Sequence, residues 1–74
     1  MGRQVAMQSI NINSNKAKGI AEIFIEQHYS ILEIKEPALE DGVWVVQALV
    51  SAFGEQPRTI RIDAKTGRII SWSK

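Results

Sequence analysis

The chain of 74 residues has no cysteine, so neither a disulfide nor a thiolate-bound metal can brace it. It has one histidine, His28, which excludes zinc sites built from several His or Cys ligands. The net charge is only +1, far from the clustered cations of a general nucleic-acid binder. No apolar run of about 20 residues is present, so no membrane-spanning helix is expected. Residues 1–12 lack the continuous apolar core of a signal peptide. If the chain is full length, that implies a cytoplasmic protein. Met1-Gly2 begins like a myristoylation site, but Ala6 stands where that motif wants Ser or Thr. Gly19, Gly42, Gly54 and Gly67 are isolated, so no phosphate-cradling loop forms.

What is present is an ordinary globular composition, 45% hydrophobic and 23% charged. The length allows one domain, and a domain this small buries only about 60% of its unfolded surface. Stability must come from a compact core or from association. The charges are segregated. Glu22, Glu26, Glu33, Glu36, Glu40 and Asp41 precede Arg58, Arg61, Lys65, Arg68 and Lys74. Either adjacent elements of one sheet carry complementary charge, or the surface is bipolar and orients a partner.

Residues 1–13 read as a short strand or a flexible arm, and residues 14–74 as the domain. Asn13 or Ser14 offers an N-cap. Ala17, Ile20, Ala21, Phe24, Ile25 and His28 then recur at spacings of three and four, one face of a helix over about 14–29. Lys18, Glu22 and Glu26 fall on the other side. Gly19 weakens that helix, and close packing against a sheet would explain its use.

Strands follow. Leu32 and Ile34 alternate with Glu33 and Lys35, and Pro37 implies a sheet edge or a bulge. Asp41-Gly42 is a two-residue hairpin signal. Val43 to Phe53 is rich in β-branched residues and reads as a long strand. Residues 54–57 read as a turn. "TIRID" and "RIISW" make a second hairpin, with Gly67 in a left-handed position. In that register Ala64 faces Arg68, Ile62 faces Ile70, and Ile60 faces Trp72. Ile60, Ile62, Ile70 and Trp72 then share one face, and Thr59, Arg61, Asp63, Ile69 and Ser71 the other. The expected fold is α+β: one helix packed on an antiparallel meander of about four strands, in two layers.

The long strand is apolar on both faces. Trp44, Val46, Ala48, Val50 and Ala52 are assigned to the face under the helix. Val43, Val45, Gln47, Leu49, Ser51 and Phe53 form the other row. One helix cannot cover both sides of a sheet. The second row is therefore either capped by the arm at Val5 to Ile12 or is an interface formed by Val43, Val45, Leu49 and Phe53.

Catalytic constellations are not spelled out. His28 reads as a helix-boundary residue, and Glu22 with Glu26 as solvated carboxylates. Ser51, His28 and Asp63 supply the residue types of a hydrolase triad, but nothing in the sequence places them together. Asp63 to Gly67 has too few acids for a calcium loop. Arg58, Arg61 and Arg68 read as outward-facing cations rather than a nucleic-acid surface.

The run "RTIRIDAKTGRIISW" resembles the strand–turn–strand of PepSY-like domains through Ile60, Ile62, Asp63, Lys65, Thr66, Gly67, Ile69 and Ile70. The preceding helix, strand, Asp-Gly and strand are similar to that family's layout. The resemblance covers about residues 14–72. It implies a non-enzymatic module that inhibits or regulates peptidases, usually outside the cytoplasm. "EDGVWVVQALVSAFGEQPRTIRIDAKTGRII" is also similar in layout to a gas-vesicle accessory family, with Val43 standing between Gly42 and Trp44. That implies a structural role in assembly. Neither resemblance implies catalytic residues, a metal or a cofactor. The expected function is protein binding through the open face of the sheet, with homo-oligomerisation, such as a homodimer, as the alternative. No nucleic-acid or membrane partner is expected.

Overall fold

A computed structural model describes residues 12–73 of the chain. Helix α1 (Ser14–Glu26) packs on one sheet made of β1 (Ser30–Ile34), β2 (Ala38–Glu40), β3 (Val43–Ser51), β4 (Glu55–Asp63) and β5 (Ile69–Ser73). All pairings are antiparallel, in the order β1-β3-β4-β5, with β2 also paired to β3. This is the expected two-layer α+β architecture, with the segment around Pro37 splitting the first edge into two short strands. The expected arm lies largely outside the described residues. At Ile12 the chain is anchored: its N–H donates to the Ala64 carbonyl at 2.7 Å, and its carbonyl accepts from Trp44 Nε1 at 2.9 Å.

Asn13 caps the helix by accepting from the Lys16 N–H at 2.8 Å. The helix ends at Glu26, three residues earlier than its apolar spacing suggests, because His28 and Tyr29 both donate to the Ile25 carbonyl and close the last turn. Its buried face is Ala17, Ala21 and Ile25. Two alanines there let the helix lie close to the strands. Beneath it lie Val46, Ala48, Val50, Ile60 and Ile62, which form the core with those helix residues. Burying an isoleucine or valine in this way contributes about 1.5–3 kcal/mol. A Cβ at Gly19 would meet nothing within 4 Å, so that glycine is not a close-packing residue.

The Asp41-Gly42 turn forms as expected, with φ of 48° and 77° and Glu40 facing Val43. β3 ends at Ser51 rather than Phe53. The turn is Ala52 to Gly54, and residues 55–57 belong to β4, with Pro57 facing Leu49.

The β4–β5 register corrects the expectation in part. Ile60 does face Trp72, but Ile62 faces Ile69, and Ile70 is the extra residue of a bulge opposite Arg61. Ile69 therefore packs against the core and Ile70 is exposed, the reverse of the expected faces. The cause is Ala64. It is fully buried, its N–H donates to the Gly42 carbonyl, and its carbonyl accepts from Ile12. It cannot also face Arg68. Asp63 takes that place, donating to the Arg68 carbonyl at 2.8 Å and accepting from Gly67 N–H at 2.8 Å. A second bulge occurs in β1, where Ile31 faces Val50 and Glu33 faces Leu49. Leu32 is displaced and exposed, and Ile31 joins Ile34 against the core in its place.

Candidate functional site

Among the described residues the titratable groups do not converge. Ser51 and Asp63 lie at opposite ends of the β3–β4 pair, since Ser51 faces Glu55 while Asp63 faces Val43. Eight residues of strand separate those ends, about 27 Å. Asp63 is committed to its own turn: its Oδ1 accepts from the Lys65 and Thr66 N–H groups, and Thr66 Oγ1 accepts from the Arg68 N–H. That network explains the Asp-Ala-Lys-Thr-Gly sequence without a ligand. Among the described residues, no group of three or more His, Asp or Glu is placed to hold a metal ion. No described helix is long and apolar enough to cross a membrane.

His28 lies in an aromatic cluster. Its ring stands edge-on to Phe24 at 5.6 Å and parallel to Trp72 at 6.5 Å, and Phe24 meets Trp72 at 5.8 Å. Arg58 is not an outward cation. It faces Ala48, on the helix side of the sheet, is only 7% exposed, and lies with its guanidinium 4.9 Å from the centre of the Tyr29 ring. Its Nη1 donates to the Pro57 carbonyl, while its buried Nε has no partner. Period-two alternation in β4 would have found it, because Arg58, Ile60 and Ile62 share one face.

The row expected to form an interface lies on the side of the sheet away from the helix, the arm proposed to cap it falls largely outside the described residues, and its cross-strand neighbours are mostly polar. Val43 lies between Glu40 and Asp63, Val45 between Ala38 and Arg61, and Leu49 between Glu33 and Pro57. All three are half-buried. Phe53 does not share that row. It is fully exposed in the β3–β4 turn, with φ of 57°.

Apolar side chains are bared on the helix side as well, besides Leu32 and Ile70, which the two bulges leave exposed. The helix lies closest to β1, β3 and β4 and meets β5 through side chains, Phe24 against Trp72. Between its flank and β5 runs a shallow groove of about 320 Å³, lined by Ile20, Ile23, Phe24, Gln27 and Ile69. Ile23 is 63% and Trp72 47% exposed. The far edge of β5 pairs with no strand among the described residues. The sequence signal for this groove was available: Ile20, Ile23 and Phe24 extend the apolar face of the helix beyond Ala17, Ala21 and Ile25.

The chain matches no protein-family model, no curated protein and no solved structure.

Proposed function

We propose that this chain is a non-enzymatic protein-binding module, and that its binding surface is the helix–β5 groove with the adjoining strand edge. The observation that carries this reading is the coincidence of an apolar groove with a β5 edge that pairs with no strand among the described residues. Strand edges bind extended segments through main-chain hydrogen bonds, and adjacent pockets select their side chains. The scattering of the polar groups supports a role without chemistry, since catalysis needs a nucleophile, base and orienting group together. The order helix, strand, Asp-Gly turn, strand and Asp-Ala-Lys-Thr-Gly hairpin keeps the PepSY-like reading as the family type we favour.

The test is a selection of random peptides against the folded chain, with binding measured by calorimetry. Enriched peptides with micromolar affinity support a binding module. A selection that yields none sinks it.

A second reading is self-association through Val43, Val45 and Leu49, favoured by their incomplete cover on the open face. It is the assembly role that the gas-vesicle accessory resemblance implies. Light scattering decides it: a dimer at micromolar concentration that Leu49→Ser dissociates, with the monomer still folded, establishes that reading over the first.

A further inference from the structure

Resting on the binding-module reading, we propose that the occupant of the β5 edge is an extended, acidic and apolar segment of a partner protein, added to the sheet beside β5. Three observations converge on this chemistry.

The first is geometric. β5 is five residues long, about 17 Å of strand, and among the described residues only its β4 side is paired. An added strand would lie about 4.8 Å further out, and alternate side chains would point to the helix side of the sheet. There they meet Ile69 and the flank Ile20, Ile23, Phe24 and Gln27, so every second residue of the segment must be apolar.

The second is charge. None of the residues lining the groove is an acid. Lys16 lies one helical turn before Ile20, on the same stripe of the helix. A Cβ at Gly67 would come within 3.4 Å of Ile20 Cδ1, so the β4–β5 turn abuts that end of the groove. That turn brings Lys65 and Arg68, both exposed. Its one acid, Asp63, is already hydrogen-bonded to the Lys65 and Thr66 N–H groups. The groove therefore begins at a cationic rim, which selects carboxylates in the incoming segment and speeds its encounter.

The third separates a partner from a second copy. The part of this chain with matching chemistry is residues 31–40, which carry Leu32, Leu39, Glu33, Glu36 and Glu40. Those residues are already the opposite edge of the same sheet, paired to β3. That edge is bulged at Leu32, interrupted around Pro37, and ends in a strand of three residues. Such features protect an edge from strand addition. β5 carries a bulge at Ile70 but neither proline nor an interruption.

The test is an NMR titration of the folded full chain with a synthetic seven-residue peptide that alternates valine with glutamate. Amide shifts are expected over residues 16–27 and 68–73, and not at Val43, Val45 or Leu49. The lysine counterpart of the peptide should bind about tenfold more weakly or worse, and the difference should shrink as salt rises. Methylating alternate backbone amides of the peptide should abolish binding, because main-chain pairing is lost. Ile23→Ser and Arg68→Glu, both at exposed positions, should each weaken binding about tenfold with the fold intact. Equal binding of the lysine peptide, insensitivity to backbone methylation, or shifts confined to the Val43–Leu49 row would overturn the proposal. So would a concentration-dependent mass that Ile23→Ser abolishes, since the occupant would then be a second copy. Selected peptides that bind elsewhere would sink this inference while leaving the binding-module reading intact.

Discussion

The two flanks of the helix are treated differently. On the β1 flank, Ile31, Ile34 and Tyr29 pack against the core, and Arg58 lies beneath the Tyr29 ring. On the β5 flank, Ile69 is half-buried, and Ile23 and Trp72 are exposed. Both sheet edges carry a bulge, but only the β1–β2 edge is also interrupted, around Pro37. The lesson is that a single helix of 13 residues covers the middle of this sheet and one margin. The other margin stays bare, next to a β5 edge that no described strand pairs, and the proposed binding surface rests on that arrangement.

The sharpest way to break the comparison is to remove what both flanks share. Ile62 is fully buried, so Ile62→Ala should cost about 2–5 kcal/mol and unfold much of the population at 37 °C. Ile69→Ala removes the same atoms from the bare flank and should cost only about 1 kcal/mol. Chemical denaturation of the two variants side by side measures the difference. Equal losses would mean that the β5 flank is packed as tightly as the core.

Phe53 gains nothing from burial and holds a left-handed conformation that costs an ordinary residue about 1–2 kcal/mol. Phe53→Gly should therefore raise stability by about 1 kcal/mol, read as a shift in the urea midpoint. A loss of stability, or dissociation of an oligomer, would instead identify Phe53 as a contact residue. Gly19→Ala should stabilise the helix by about 0.5–1 kcal/mol, since the added methyl meets open space. A destabilised variant would show that the helix must approach another surface there.

The smallest effect sharpens the covered flank. Arg58→Met keeps most of the buried side-chain volume and removes an Nε that has no partner. Stability should stay within about 1 kcal/mol of the parent or rise, as replacement of buried charge by apolar groups often does. A loss of several kcal/mol would assign the Arg58–Tyr29 contact a larger structural role than its geometry supports.

Much of the fold was legible in the residues. The helix was written in its three-and-four spacing, the first hairpin in Asp41-Gly42, and the face under the helix in Val46, Ala48, Val50, Ile60 and Ile62. The bulges were not legible. Leu32 and Ile70 each sit where simple alternation or turn counting places a core residue, and both are displaced because another residue has a prior commitment. Ala64 is held by Gly42 and Ile12, so the second hairpin must close one residue earlier. In β1, Ile31 and Ile34 can both reach the core only if one residue between them is expelled. Arg58 was misplaced because charge was given more weight than period.

The sequence by itself determined the class of fold, the Asp41-Gly42 turn and the apolar row that the helix covers. These follow from local rules: periodicity, capping and turn chemistry act between residues close in the chain. Tertiary structure decided which apolar residues stay bare. The Val43, Val45 and Leu49 row is interleaved with polar neighbours supplied by β1, β2 and β4, while the Ile23 flank is left beside a strand edge. No local rule could settle that. Exposure depends on where a helix of fixed length comes to rest across strands brought together from distant parts of the chain.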